Sequence, residues 1–226
     1  MAKEVFQVEN FTGVVLKKYG KLNIAQGAQE SLGVEASDEL LAGMAPSVED
    51  GKLILSVKTR WWDWLLDGFR IGFDKQKIVY HLVVKDLRRL EIPGAALVRG
   101  SGLDLERLEV KLGGAGEINL TNLRSKELSI DLHGAGSIKL SGKTDAQEVK
   151  LTGVGSYAAG KLESETGKVV VSGAGSATVW VKSELSASVQ GVGSIGYYGS
   201  PSVKKNITGI GSVNHLGSEP KKIERE

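Results

Sequence analysis

The stretch Ile130-Asp131-Leu132-His133-Gly134-Ala135-Gly136-Ser137-Ile138 alternates apolar and polar residues on both sides of a Gly-x-Gly pair. That is the period-two pattern of two half-buried strands meeting at a corner. The pattern occurs first as Val110-Lys111-Leu112-Gly113-Gly114-Ala115-Gly116-Glu117-Ile118. It returns around Gly153-Val154-Gly155-Ser156, Gly173-Ala174-Gly175-Ser176, Gly191-Val192-Gly193-Ser194 and Gly209-Ile210-Gly211-Ser212. The steps between Gly114, Gly134, Gly153, Gly173, Gly191 and Gly209 are 20, 19, 20, 18 and 18 residues.

A repeat this short is too small for a propeller blade and lacks the asparagine-punctuated leucines of a leucine-rich repeat, which leaves a β-solenoid coil. Each coil then supplies two strands around the glycine corner. A third side comes from the variable segments Leu123 to Glu127, Leu162 to Thr166 and Tyr198 to Ser202. The alternation predicts that Val110, Leu112, Ile130, Leu132, Val149, Leu151, Val169, Val171, Ala187 and Val189 stack inward. The small residue between the glycines is expected to point into the interior too. Ser137, Ser156, Ser176, Ser194 and Ser212 should form a ladder, with Glu117 at its first step. His133 falls in an outward polar column with Gly113, Thr152, Ser172, Gln190 and Thr208.

Both ends differ from this regularity. In the last copy the inward positions read Lys205, Ile207, Val213 and His215, as expected of a terminal coil that faces water. Residues 218–226 are charged, lack an apolar pattern and read as a disordered tail. Residues 1–92 form a less regular β part of the same domain, with 93–217 as its regular part. Within the first part, Asp50-Gly51 reads as a hairpin turn. Helix is expected only locally, as at Ser37-Asp38-Glu39-Leu40-Leu41, where Ser37 or Asp38 is placed to serve as a cap.

Composition excludes several classes of function. The 226 residues carry 29 basic and 27 acidic side chains, so charge gives no reason to expect nucleic acid as a partner. Without cysteine there is neither a disulfide framework nor a thiolate metal site. No apolar run is long enough for a membrane-spanning helix. Thirty glycines with four prolines point to backbone geometry rather than a linker. The start, Met1-Ala2-Lys3-Glu4-Val5-Phe6, is not a secretory signal. Either the protein stays inside the cell or a signal has been replaced by a start methionine.

The glycine copies, the segment Val48-Glu49-Asp50-Gly51-Lys52-Leu53-Ile54-Leu55 and the segment Ile195-Gly196-Tyr197-Tyr198-Gly199-Ser200-Pro201 occur in an order that resembles one bacterial family. It is the putative auto-transporter adhesin, head GIN domain family, and the resemblance covers Phe11 to Gly217. It implies a right-handed parallel β-helix, an upstream signal now removed, and a place in the envelope, periplasmic or at the cell surface. It also implies a non-enzymatic adhesin-type or structural role without a cofactor.

The rival reading is a carbohydrate-active enzyme, since β-helices also carry polysaccharide lyases and hydrolases. Such chemistry needs clustered carboxylates, and the aspartates between Val110 and Gly217, Asp131 and Asp145, hold different repeat positions. Gly191-Val192-Gly193-Ser194-Ile195-Gly196 matches a dinucleotide fingerprint formally, but no helix can start at the Tyr197-Tyr198-Gly199-Ser200-Pro201 that follows. His81, His133 and His215 are too scattered in sequence for a metal site.

One segment interrupts the strand pattern. Residues 60–70 contain Trp61-Trp62-Asp63-Trp64-Leu65-Leu66-Asp67-Gly68-Phe69, with three of the four tryptophans in nine residues. The rings of Trp61, Trp62, Trp64 and Phe69 either cap the solenoid or form a contact surface for a glycan, a surface protein or a second copy of the chain.

Overall fold

The computed structural model describes residues 2–57 and 78–220. The chain is a parallel β-solenoid, with one small helix among the described residues. Its regular part is carried by β10 (Asp104–Leu112), β11 (Ala115–Leu132), β12 (Ala135–Leu151), β13 (Val154–Val171) and β14 (Ala174–Val189). It ends in β15 (Val192–Tyr198), β16 (Ser202–Ile207) and β17 (Ile210–Gly217). The long strands turn corners without losing the ladder, so each coil pairs with the next along nearly its whole length.

All ten predicted inward residues are buried. Leu112, Leu132, Leu151, Val171 and Val189 stand in register on successive coils, as do Val110, Ile130, Val149, Val169 and Ala187. The serine ladder is also in register, from Glu117 through Ser137, Ser156, Ser176 and Ser194 to Ser212. In the predicted polar column, Ser172 Oγ donates to Gln190 Oε1 at 3.1 Å.

The residue between the glycines does not enter the interior. Val154, Val192 and Ile210 are 63%, 57% and 75% exposed, and Ala115, Ala135 and Ala174 are exposed with them. The reason is strand parity. Ile138 faces inward, so Gly136 shares its side and Ala135 points out. The glycines are needed because the coils approach so closely there. A Cβ on Gly134 would collide with the carbonyl oxygen of Gly114, and one on Gly173 with that of Gly153.

Coil lengths differ chiefly after the second side, where the register shifts between successive long strands, with a further shift between Ser164 and Thr166 where β13 meets β14. Asn122, with φ of 53°, takes up one extra residue after the second side as a bulge. The glycine corner keeps its geometry while the opposite corner absorbs insertions.

The N-terminal part winds out of sequence order. It contains β1 (Ala2–Phe6), β2 (Gly13–Leu16), β3 (Tyr19–Gln26), β4 (Ser31–Ala36) and α1 (Asp38–Ala42). After them come β5 (Ser47–Glu49), β6 (Lys52–Leu55), β7 (Val79–Val84), β8 (Arg89–Ile92) and β9 (Ala95–Ser101). On one side β2 lies between β6 and β8, and on the next β3 lies between β7 and β9. The first coil of the chain is therefore enclosed by two later ones. Antiparallel β4 then covers β7 and β1 covers β4, with α1 packed against both. Ser37 caps α1 by accepting from the Leu40 amide. Asp50 and Gly51 take positive φ in the β5–β6 hairpin, as the Asp-Gly pair requires.

At the opposite end the terminal coil is polar, and among the described residues no strand pairs beyond β16 and β17. Lys205 reaches across it to donate to the Val213 carbonyl at 3.1 Å, with its charge 5.7 Å from the Tyr197 ring centre. His215 packs against Tyr197 and lies 2.8 Å from the Gly199 carbonyl.

Candidate functional site

Where the third side of each coil runs into the first, two outward columns flank one inward column. One wall is Arg107, Glu127, Ala146, Thr166, Glu184 and Ser202; the other is Glu109, Ser129, Glu148, Lys168, Ser186 and Lys204. Between them run Leu128, Gln147, Gly167 and Leu185, all buried. The space enclosed is a shallow groove of about 800 Å³ parallel to the solenoid axis. Period two places these side chains, and the coil stacking makes a continuous trough from positions that look ordinary within any one coil.

The charges in the groove are held by their neighbours. Arg107 pairs with Glu127 at 2.6 Å, and Lys168 with Glu148 at 3.0 Å. Glu109 receives Arg89 at 2.7 Å and Lys111 at 2.9 Å. The hydrogen bond from Lys168, aided by Lys150, lowers the Glu148 pKa below its ordinary value. For Glu109 desolvation is the largest single influence and acts upward. The Lys111 hydrogen bond with the Arg89 and Lys111 charges outweighs it, and the net shift is downward. Both carboxylates are thus stable anions at neutral pH. A glycosidase needs the reverse, one carboxyl held protonated as a general acid.

A buried polar chain supports the groove floor from inside. Tyr157 donates to Gln147 Oε1 at 3.1 Å, Gln147 Nε2 donates to Ser164 Oγ at 2.7 Å, and Ser164 donates to the Trp180 carbonyl at 2.8 Å. Complete pairing lets these groups sit in an aliphatic core and fixes the Gln147 side chain in one orientation. Burial drives the Tyr157 pKa far upward, so the phenol stays a donor.

The histidines are apart in space as in sequence. His133 lies 3.2 Å from Asp131, His81 lies 3.4 Å from Glu35, and His215 sits in the terminal coil. The tryptophan segment, with Trp61, Trp62, Trp64 and Phe69, lies outside the described residues, as do residues 221–226. Its flanks, Leu55 of β6 and Val79 of β7, end the outermost parallel coil.

The groove residues were not singled out by sequence reasoning, which treated the third side as connecting segments. The usable signal was the recurrence of Glu, Thr, Ser or Ala two positions before a polar residue, once per coil. A second unanticipated feature is that the fourth tryptophan, Trp180, stands in register with Tyr198 on the next coil. Both are half-buried.

Comparison with known proteins supports the same architecture. The sequence model of a family described as putative auto-transporter adhesin, head GIN domain, matches residues 10–201. A crystal structure of a putative adhesin from Bacteroides fragilis superposes with a TM-score of 0.85 at 23% identity, covering 95% of this chain and 96% of that one. A putative adhesin from Parabacteroides distasonis gives a TM-score of 0.66 at 18% identity, again over 95% and 96%. A putative lipid binding protein from the same organism gives 0.66 at 20% identity, with the same coverage. No protein with a curated description matches the chain.

Proposed function

The chain belongs to the putative auto-transporter adhesin, head GIN domain family, and from that premise we propose that it is a non-enzymatic binding module of the bacterial envelope that holds a glycan along its flank. The groove carries this reading. It crosses several coils, is lined by hydroxyls and paired charges, and offers many hydrogen-bonding groups on rigid strands. Two of its carboxylates, Glu109 and Glu148, are held as anions by neighbouring cations, which suits recognition and not proton transfer.

A glycan array probed with the wild-type chain and with Thr166→Trp tests the proposal. Thr166 is exposed on the groove wall, so the indole should fill the groove while the core is unchanged. Binding by the wild type and its loss in the variant are expected. An array without signals, or signals the variant keeps, would remove the groove from consideration.

The tryptophan segment is the second reading. We propose Trp61, Trp62, Trp64 and Phe69 as a separate contact surface for a partner or a second copy, because the segment leaves and rejoins the outermost parallel coil, three strands beyond the first groove row. Changing the three tryptophans together to Ser should weaken self-association or ligand retention and leave the melting temperature unchanged. A large fall in melting temperature would instead make the segment a structural cap.

A further inference from the structure

We propose that the groove takes a linear, uncharged glycan lying parallel to the solenoid axis, with one sugar unit meeting each coil. This rests on the reading of the groove as the binding surface and adds the class of ligand. The wall from Arg107 to Ser202 has six rows in strict register. Successive coils are about 4.8 Å apart, close to the length of one unit in an extended β-1,4-linked chain. A polymer with that repeat meets one residue of each wall at every step, the side chains changing from row to row while their spacing stays constant. A branched or compact glycan would meet only one or two rows.

The charges decide against an acidic polymer. The groove is lined by three cations, Arg107, Lys168 and Lys204, and four carboxylates, Glu109, Glu127, Glu148 and Glu184. Two of the three cations are already committed to carboxylates of the walls. Glu184 has no ion-pair partner among the described residues and faces any incoming polyanion with its own charge. Binding a polyuronate would mean breaking these pairs and adding like charge. Sugar hydroxyls need neither, because a paired carboxylate keeps spare lone pairs and a paired lysine keeps spare donors.

An extended peptide fits less well. Peptides that lie along β-structure add to a free strand edge, and the wall strands β11 to β14 are already paired on both sides. Hydroxyl-rich chains use side chains and need no free edge.

The test is affinity against chain length. Unbranched neutral oligosaccharides of glucose, xylose, mannose and N-acetylglucosamine, from disaccharide to octasaccharide, are titrated by calorimetry beside oligogalacturonates of equal length. At least one neutral series should gain affinity with each added unit and level off at about six, the number of rows, with little dependence on salt. Ser129→Trp and Thr166→Trp, each checked for an unchanged thermal melt, should both abolish it. A plateau at two units, or tighter binding of the oligogalacturonates, would overturn the linear neutral ligand while leaving the groove reading intact if the Trp variants still abolish binding. Absence of binding by every series, or binding that both variants retain, would overturn the inference together with the groove reading itself.

Discussion

Truncating Leu132 to Ala tests whether the coils share one stacked core. Leu132 is fully buried, between Leu112 on the coil before and Leu151 on the coil after. Neither neighbour can collapse into the void without pulling its own strand out of register. A buried Leu→Ala change costs about 3 to 5 kcal/mol, the upper values applying where the site cannot relax. In a domain of this size that corresponds to a fall in melting temperature of roughly 6 to 20 °C. The internal control is Val213→Ala on β17. Val213 is also buried, but among the described residues its strand is paired on one side only, so the loss should be under about 2 kcal/mol. Urea unfolding followed by circular dichroism, with slopes compared between variants, measures both. If Leu132→Ala unfolded within about 0.5 kcal/mol of wild type, the stacked-core account would be wrong at its centre. A larger loss at Val213 than at Leu132 would be as damaging.

Gly134→Ala places a Cβ against the Gly114 carbonyl oxygen, so it should destabilise by about 2 kcal/mol or more, and a melt equal to wild type would show that the coils can separate at that corner. Tyr157→Phe removes the donor to Gln147 Oε1, and an unsatisfied buried acceptor costs about 1 to 3 kcal/mol; the same variant should weaken glycan binding through the freed Gln147, and an unchanged urea midpoint would contradict the buried network. Glu148 has a folded pKa below its unfolded one, so its contribution is full above the unfolded value of about 4.3 and is lost as pH falls through the folded value. Because Glu148 is 41% exposed, screening limits that contribution to a few tenths of a kcal/mol; Glu148→Gln should therefore unfold slightly earlier than wild type at pH 7 and like wild type at low pH, a pattern that a urea midpoint series from neutral to acid would check.

The inward ladders were legible because Ile130 and Leu132, and their counterparts in each coil, obey strict period two. The cap at Ser37 and the turn at Asp50-Gly51 were legible from local chemistry alone. The misplacement of Val154, Val192 and Ile210 came from reading apolar character as burial; counting back from Ile195 would have put Val192 outside. The enclosure of β2 by β6 and β8 could not be read at all. All four residues of β2 are buried, and Gly13-Val14-Val15-Leu16 would look the same whichever neighbours it had. The groove was hidden for a related reason. Arg107, Ala146, Thr166 and Ser202 share no residue type, and only the stacking of coils of unequal length aligns them.

The most direct test of the binding account is residue-resolved. Backbone amide resonances of the wild-type chain would be followed while the tightest-binding oligosaccharide of the neutral series is added. The shifts should concentrate on Arg107, Glu127, Ala146, Thr166 and Glu184 and on the facing Ser129, Glu148, Lys168 and Ser186. Shifts confined to the exposed corner at Val154, Val192 and Ile210, or to residues 58–77, would contradict it.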